Sequence, residues 1–388
     1  MPHYTGVTVV RGVATLPQPP QAYALPSSYT AVGNSADLIT ALQSGVATNI
    51  VVEDGTYTKT TGTGEVDCGA AHKVYGRNLG GALIQFGIAS NKSGHVFQGL
   101  ALDVTDTTLC LNGIQLHLWG NSAGAQILDT TFLGDNTIIA GVGTRSNNSY
   151  EGFVLRRCEA RNFNGYGFLV DSNDTSYVPT IPPIVEDIYG ENCVFKTNAQ
   201  IESNGQAEAA VWAGTTGTYR RIHAHVADGY ITGGRGQAWY GFWGGTRLYD
   251  SLVEDVYVDG QIAFGVYLEH TSHNCVFNRM QTALPVNVGF HCEWTHPEDP
   301  VPTNKDHLVQ DSWFDSTCAG VHLDEGTETT TVRRSVFRYQ ASAAIDNYAN
   351  AGRGNLYDLG GNDYTMIGGG AVSISTANGG AFPCWNNA

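Results

Sequence analysis

One short pattern returns along most of the chain: a glycine or alanine, an apolar residue, any residue, a second apolar residue, any residue. It begins at Gly113-Ile114, Gly141-Val142, Gly167-Phe168, Ala210-Val211, Gly241-Phe242, Gly265-Val266, Gly289-Phe290, Gly320-Val321 and Ala344-Ile345. Successive copies lie 24 to 43 residues apart, and a step of 24 recurs three times. That period is too short for strand–helix–strand units and marks a coil of a solenoid. Side chains alternate across a strand, so Ile114, Val142, Phe168, Val211, Phe242, Val266, Phe290, Val321 and Ile345 stack in one interior column. Leu116, Val170, Ala213, Leu268, Cys292 and Leu323 form a second, with Thr144, Gly244 and Asn347 as less apolar members.

A companion strand precedes each copy in the frame apolar, polar, polar, apolar, as in Leu155-Arg156-Arg157-Cys158, Val185-Glu186-Asp187-Ile188 and Val253-Glu254-Asp255-Val256. Two or three short strands per coil, wound without helices, make an all-β fold: a single-stranded right-handed parallel β-helix. Residues 36–45 read as a short amphipathic helix ending at Gly45, and residues 49–57 as a strand and turn. A helix there caps the open end of the core, where a solenoid otherwise exposes apolar surface and strand edges. The domain reading is an N-terminal extension at 1–35, the β-helix at 36–376 and a tail at 377–388.

The helix followed by Ile50-Val51-Val52-Glu53-Asp54-Gly55-Thr56-Tyr57 resembles the entry coil of the pectate-lyase-like superfamily of right-handed parallel β-helix proteins. That superfamily holds polysaccharide lyases, glycoside hydrolases, sugar epimerases and phage tailspikes, so the resemblance implies a fold and not a reaction. The chain lacks the Asn-Thr-Asp, Asp-Asp and Gly-His-Gly motifs of polygalacturonases and the Asp-Pro-His motif of mannuronan epimerases.

With the interior columns set, the outward positions follow without further choice. The first outward column reads Gln115, Gly143, Leu169, Trp212, Trp243, Tyr267, His291, His322, Asp346; the second reads His117, Arg145, Asp171, Gly214, Gly245, Glu269, Glu293, Asp324, Tyr348. Trp212, Trp243 and Tyr267 form an aromatic strip beside two glycines, which leaves room for a flat sugar ring. Trp294 and Asp171 are further candidate substrate contacts. Glu269, Glu293 and Asp324 stack on consecutive coils, where like charges repel unless a cation, a shared proton or a function offsets them. Such crowding raises a carboxyl pKa, as a general acid needs, and the central Glu293 is the expected proton carrier. His270, His291 and His322 surround the stack and can orient or share protons. Asp346 and Glu325 are second-tier candidates. Two proline-bearing insertions, 172–183 and 296–305, follow the second outward column and are candidate groove walls.

Composition narrows the partners. A net charge of -16 with 20 Lys+Arg and no basic cluster excludes nucleic acid and anionic membranes. The 48 glycines and the low charged fraction of 14% suit a fold of many turns. No apolar run is long enough to span a membrane and no signal peptide is visible; the expected location is extracellular or virion-associated. The eight cysteines show no metal-binding spacing and read mostly as buried thiols. No cofactor is called for; calcium is the competing use of stacked carboxylates, although histidines are poor calcium ligands.

The leading functional expectation is a glycoside hydrolase acting on a polysaccharide laid along the coils. A lyase of this fold needs Lys or Arg to neutralise a uronate, and among the second-column positions only Arg145 is basic, far from the acids. An acidic groove also repels polyuronates, which favours a neutral or amino-sugar polymer. The alternatives are a polysaccharide lyase and a tailspike or adhesin that binds glycan, for which a homotrimer would be expected.

Overall fold

The chain winds into a right-handed parallel β-helix with one short α-helix at its start. The computed structural model describes residues 13–110, 113–144, 150–171, 178–197, 199, 208–245, 248–269, 272–292, 305–324, 327, 329–347, 356–358, 360–368 and 372–375. One side of the solenoid is a twelve-stranded parallel sheet, stacked in chain order from Val66–Asp67 to Val372–Ser375. The other sides form a connected ladder of twenty-one strands. In the middle coils one long strand turns the corner within that ladder, as in Val154–Arg161, Ile184–Glu191, Thr218–Val226 and Leu252–Gly260. Elsewhere the same path is split in two, as in Val96–Gln98 and Ala101–Asp103.

The apolar–polar–polar–apolar frame is that corner. Leu155 and Cys158 lie three apart and are both buried in the core, which a flat strand of period two forbids. A residue in the left-handed region resolves the conflict. Asp129, Arg157, Asp187, Arg221, Asp255, Arg279, Asp311 and Arg334 follow one another from coil to coil at this position, with φ between 50° and 58°. Each such non-glycine residue costs on the order of 1–3 kcal/mol unless its surroundings enforce it. Here acid and base alternate, and each arginine clamps the aspartate of the preceding coil. Arg157 binds Asp129 at 2.5 and 2.9 Å, Arg221 binds Asp187 at 2.6 and 2.8 Å, Arg279 binds Asp255 at 2.7 and 2.7 Å, and Arg334 binds Asp311 at 2.7 and 2.5 Å.

Residues 14–23 run back along this corner as a strap. The backbone N–H groups of Thr15, Gln18 and Gln21 donate to Asp255, Asp187 and Asp129 at 3.0, 3.0 and 2.9 Å. Three residues of extended polyproline-type chain advance about 9.3 Å, close to the roughly 9.6 Å of two coils. Pro17, Pro19 and Pro20 fall between the donors, so their missing N–H groups cost nothing. Tyr23 ends the strap: its hydroxyl donates to Gly76 O at 2.5 Å, and its ring covers Gly99 where a Cβ would stand. Burial opposes ionisation of Asp129, Asp187 and Asp255, but the paired guanidinium and the strap's N–H outweigh it and hold these carboxyls below their ordinary range.

At the entry, Ser35–Gln43 forms the expected helix. Asn34 caps it by accepting from Asp37 N, and Leu38 and Leu42 close the bottom of the core. The chain leaves the helix at Ser44, not at Gly45, through a bond from Ser44 N to Ala41 O. Thr30–Val32, ahead of the helix, pairs in parallel with Asn49–Val52.

The interior register runs Val142, Phe168, Val211, Phe242, Val266, Phe290, Val321, Ile345 on neighbouring strands, as the alternation predicts. One coil departs from it by two residues. Leu116, not Ile114, stands beside Val142, and His117, not Gln115, stands beside Gly143. Gly113 has φ 68° and lies before its strand, whereas Gly141 lies within Ala140–Thr144, so the two glycines are not equivalent. Gln115 is fully buried and donates its amide to Val104 O and Leu133 O. His117 faces Glu65 at 3.4 Å. Cys68, Cys110, Cys158, Cys193, Cys275 and Cys292 are buried free thiols, Cys318 is disulfide-bonded, and Cys384 lies outside the described residues. Among the described residues, no helix is long and apolar enough to cross a membrane.

If the left-handed corner governs this region, Arg221→Val unfolds more readily than Arg221→Gly by about 1–2 kcal/mol in urea titrations. Both variants lose the Asp187 pair, so the difference reports the backbone alone.

Candidate active site

The outward face of the twelve-stranded sheet carries the candidate chemistry. Trp212, Trp243, Tyr267, His291, His322 and Asp346 are direct neighbours on successive strands, as expected. Trp212 and Trp243 stack at 4.5 Å with a 5° interplanar angle. A further set joins them: Tyr166, Ala209, Tyr240, Phe264 and Val288 belong to the same apolar cluster, separate from the core. Tyr240 stacks on Tyr267 at 4.1 Å, and Phe264 meets His291 edge-on at 4.9 Å. These residues were legible only from the position before each repeat glycine. There the alternation breaks, because a Cβ on Gly241 would point at Val258 in the core.

The strip is therefore not the open platform that the sequence suggests. Trp243 and Tyr267 are 8% and 6% exposed, and only Trp212 is partly open. The room expected beside the glycines is taken, since the Trp212 indole overlies Gly245 and the Asp171 carboxylate overlies Gly214 where a Cβ would stand. The indole N–H groups of Trp212 and Trp243 are buried without an acceptor.

Where the column turns polar, four side chains form a chain of short contacts. His322 Nδ1 lies 3.2 Å from Asp346 Oδ2, and His322 Nε2 lies 2.9 Å from Asp324 Oδ1. His291 Nε2 approaches the other oxygen, Asp324 Oδ2, at 3.3 Å. His291, His322 and Asp346 are buried, whereas the Asp324 side chain is 22% exposed at the mouth of the chain. Burial works against charge on Asp324, but the two imidazoles hold its carboxyl well below the usual range. Burial likewise works against protonation of His322, yet Asp324 and Asp346 raise its pKa. Glu293, the expected proton carrier of the stack, lies outside the described residues.

Glu269 continues the column of Asp324, two strands away, a separation of roughly 10 Å. Asp171 lies five strands from Asp324, roughly 24 Å, and is not part of this cluster. Glu293, His270, Trp294, Glu325, Arg145 and Tyr348 lie outside the described residues, as do 172–177 and 296–304 of the two insertions. His291, His322 and Asp324 bring their donor atoms within 4.8 Å of one another. Two imidazoles and one carboxylate suit a late transition ion better than calcium.

No protein-family model and no curated protein matches the chain. Solved structures do. The catalytic domain of an α-1,3-glucanase of glycoside hydrolase family 87, an aspartate-to-alanine variant in complex with tetrasaccharides, matches with a TM-score of 0.52 at 11% identity. The match covers 89% of this chain and 71% of that one. A second variant of that domain, also with tetrasaccharides, matches with a TM-score of 0.51 at 13% identity and the same coverage. The likeness shows the fold alone, a parallel β-helix. The A-module of a mannuronan C-5 epimerase from Azotobacter vinelandii matches at 14% identity over 89% of this chain and 98% of that one, with a TM-score of 0.40 that adds nothing to the comparison.

In this β-helix the raised pKa of His322 contributes stability that is complete below about pH 6.5 and is lost as pH rises through the folded value. Asp346→Asn removes one of the two carboxylates and lowers the His322 pKa, moving that loss to lower pH. Histidine-ring NMR titration measures it; an unchanged His322 pKa would show that Asp346 does not act on the ring.

Proposed function

We propose that the chain is a carbohydrate-active enzyme, a glycoside hydrolase that cleaves a neutral or amino-sugar polysaccharide lying along the coils. The observation that carries this reading is Asp324, a partly exposed carboxylate at the end of a buried imidazole–carboxylate chain. An ionised, partly exposed carboxylate acts as a general base on water, not as an acid. Glu269, roughly 10 Å away, is near the 6.5–9.5 Å carboxyl separation of inverting enzymes and donates the proton to the departing sugar oxygen. Glu293, the neighbour of both in sequence register, is the other candidate donor. His322, held by Asp346, orients Asp324 and steadies its charge as the proton arrives.

The surroundings support sugar chemistry. Two structural neighbours with TM-scores above 0.5 are glycoside hydrolase domains holding tetrasaccharides. Trp212 offers a partly exposed ring for a sugar C–H face, with indole N–H donors beside it. Lyase chemistry is disfavoured because no described residue of the outward columns is Lys or Arg. Arg235, near the aromatic cluster, is buried against Glu208.

A panel of polysaccharides scored both for new reducing ends and for the ultraviolet absorbance of unsaturated products tests the proposal. Reducing ends without unsaturation are expected, falling about 10²–10⁴-fold in Asp324→Asn and in Glu269→Gln or Glu293→Gln, whichever removes the acid. Unsaturated products would replace the hydrolase with a lyase.

A further inference from the structure

On the ladder of twenty-one strands, away from the site above, His223 and His225 stand two apart on Thr218–Val226 and so project to the same side. Asp259 is the neighbour of His225 on the next strand, Leu252–Gly260. His223 Nε2 lies 3.1 Å and His225 Nδ1 lies 2.7 Å from one and the same oxygen, Asp259 Oδ1. The three donor atoms lie within 4.8 Å of one another. All three side chains remain partly exposed, at 20%, 31% and 24%.

The neighbours hold these groups in place. Tyr189 and Tyr257, on the flanking strands, pack against the His223 ring at 5.1 and 4.8 Å. Tyr257 and Asp259 stand two apart on the same strand and so project to the same side. Arg161, in the same column two strands away, is occupied by Glu159 and Glu191. A buttressed pair of imidazoles aimed at a single carboxylate oxygen, with solvent on the remaining side, is a facial set of two nitrogens and one oxygen.

We propose that His223, His225 and Asp259 bind a divalent transition ion of the zinc class, with water in the open position. Imidazole and carboxylate together suit zinc and its neighbours, whereas calcium and magnesium favour all-oxygen sites. Zinc bonds of about 2.0–2.1 Å set tetrahedral ligands roughly 3.4 Å apart, so turning the two rings outward by a few tenths of an ångström opens the site. The site stands apart from Asp324 and does not depend on the hydrolase reading.

Calorimetric titration of the chelator-treated full chain with Zn²⁺ tests it, carried out in an Asp324→Asn background so that the second histidine cluster is disabled. One equivalent is expected to bind, weakened about 100-fold or more when either His223→Ala or His225→Ala is added. Circular dichroism of each variant confirms folding; should His225→Ala not fold, His225→Gln, which keeps a polar group beside Asp259, takes its place. Binding no tighter than about 1 mM in the parent background, or binding unchanged by the histidine substitutions, would overturn the proposal.

Discussion

The whole molecule depends on one backbone event per coil, the left-handed residue at the corner of the twenty-one-strand ladder. A parallel solenoid must bring the same positions of each coil over one another, because its ladder bonds join only neighbouring strands. A corner that slipped by one residue would turn the apolar side chains of the following strand outward. From Asp129 to Arg334 that corner carries acid and base by turns, and the two-bond clamps join the coils in pairs at the residue whose conformation is least favourable. Local strain is thus offset where it arises, and the columns on the opposite sheet inherit their alignment.

The candidate site is a product of that alignment. One outward column changes character along the solenoid axis, from indoles to a phenol to imidazoles to a carboxylate, with each ring meeting the next. The aromatic part shields the imidazoles from water, and this gives the contacts of His322 with Asp324 and Asp346 more weight than they would have in solvent. That column ends in the buried Asp346, and Asp324, in the column beside it, carries the chain of contacts to the surface.

Much of this was legible in the sequence. From residue 141 onward the alternation placed both interior columns and the Trp212–Asp346 column correctly, because a buried strand face tolerates no register error. The slip at Gln115 and His117 arose because a glycine in a turn and a glycine within a strand look alike in sequence. Tyr240 and Phe264 were passed over because the strand bends at the following glycine, and a strict period of two assigns their side chains to the core. The corner frame was visible as two apolar residues three apart, yet its left-handed geometry and its salt links needed coordinates. The contacts of Asp324 with His291 and His322 needed coordinates for a related reason: they cross from one outward column to the one beside it.

The strap brings in a different property. In a solenoid each coil touches only its neighbours, so unfolding tends to spread from an end, one repeat at a time. Here a chain segment near residue 14 bonds to Gln281, 267 residues away, and the same segment touches the coils of Asp255, Asp187, Asp129 and Gly76 before the helix begins. Such a tie couples coils that share no ladder bond, so fraying at one must disturb several others. The N-terminal segment thereby makes a one-dimensional array behave more like a globular, all-or-none unit, and it does so over the coils that carry the aromatic part of the candidate site.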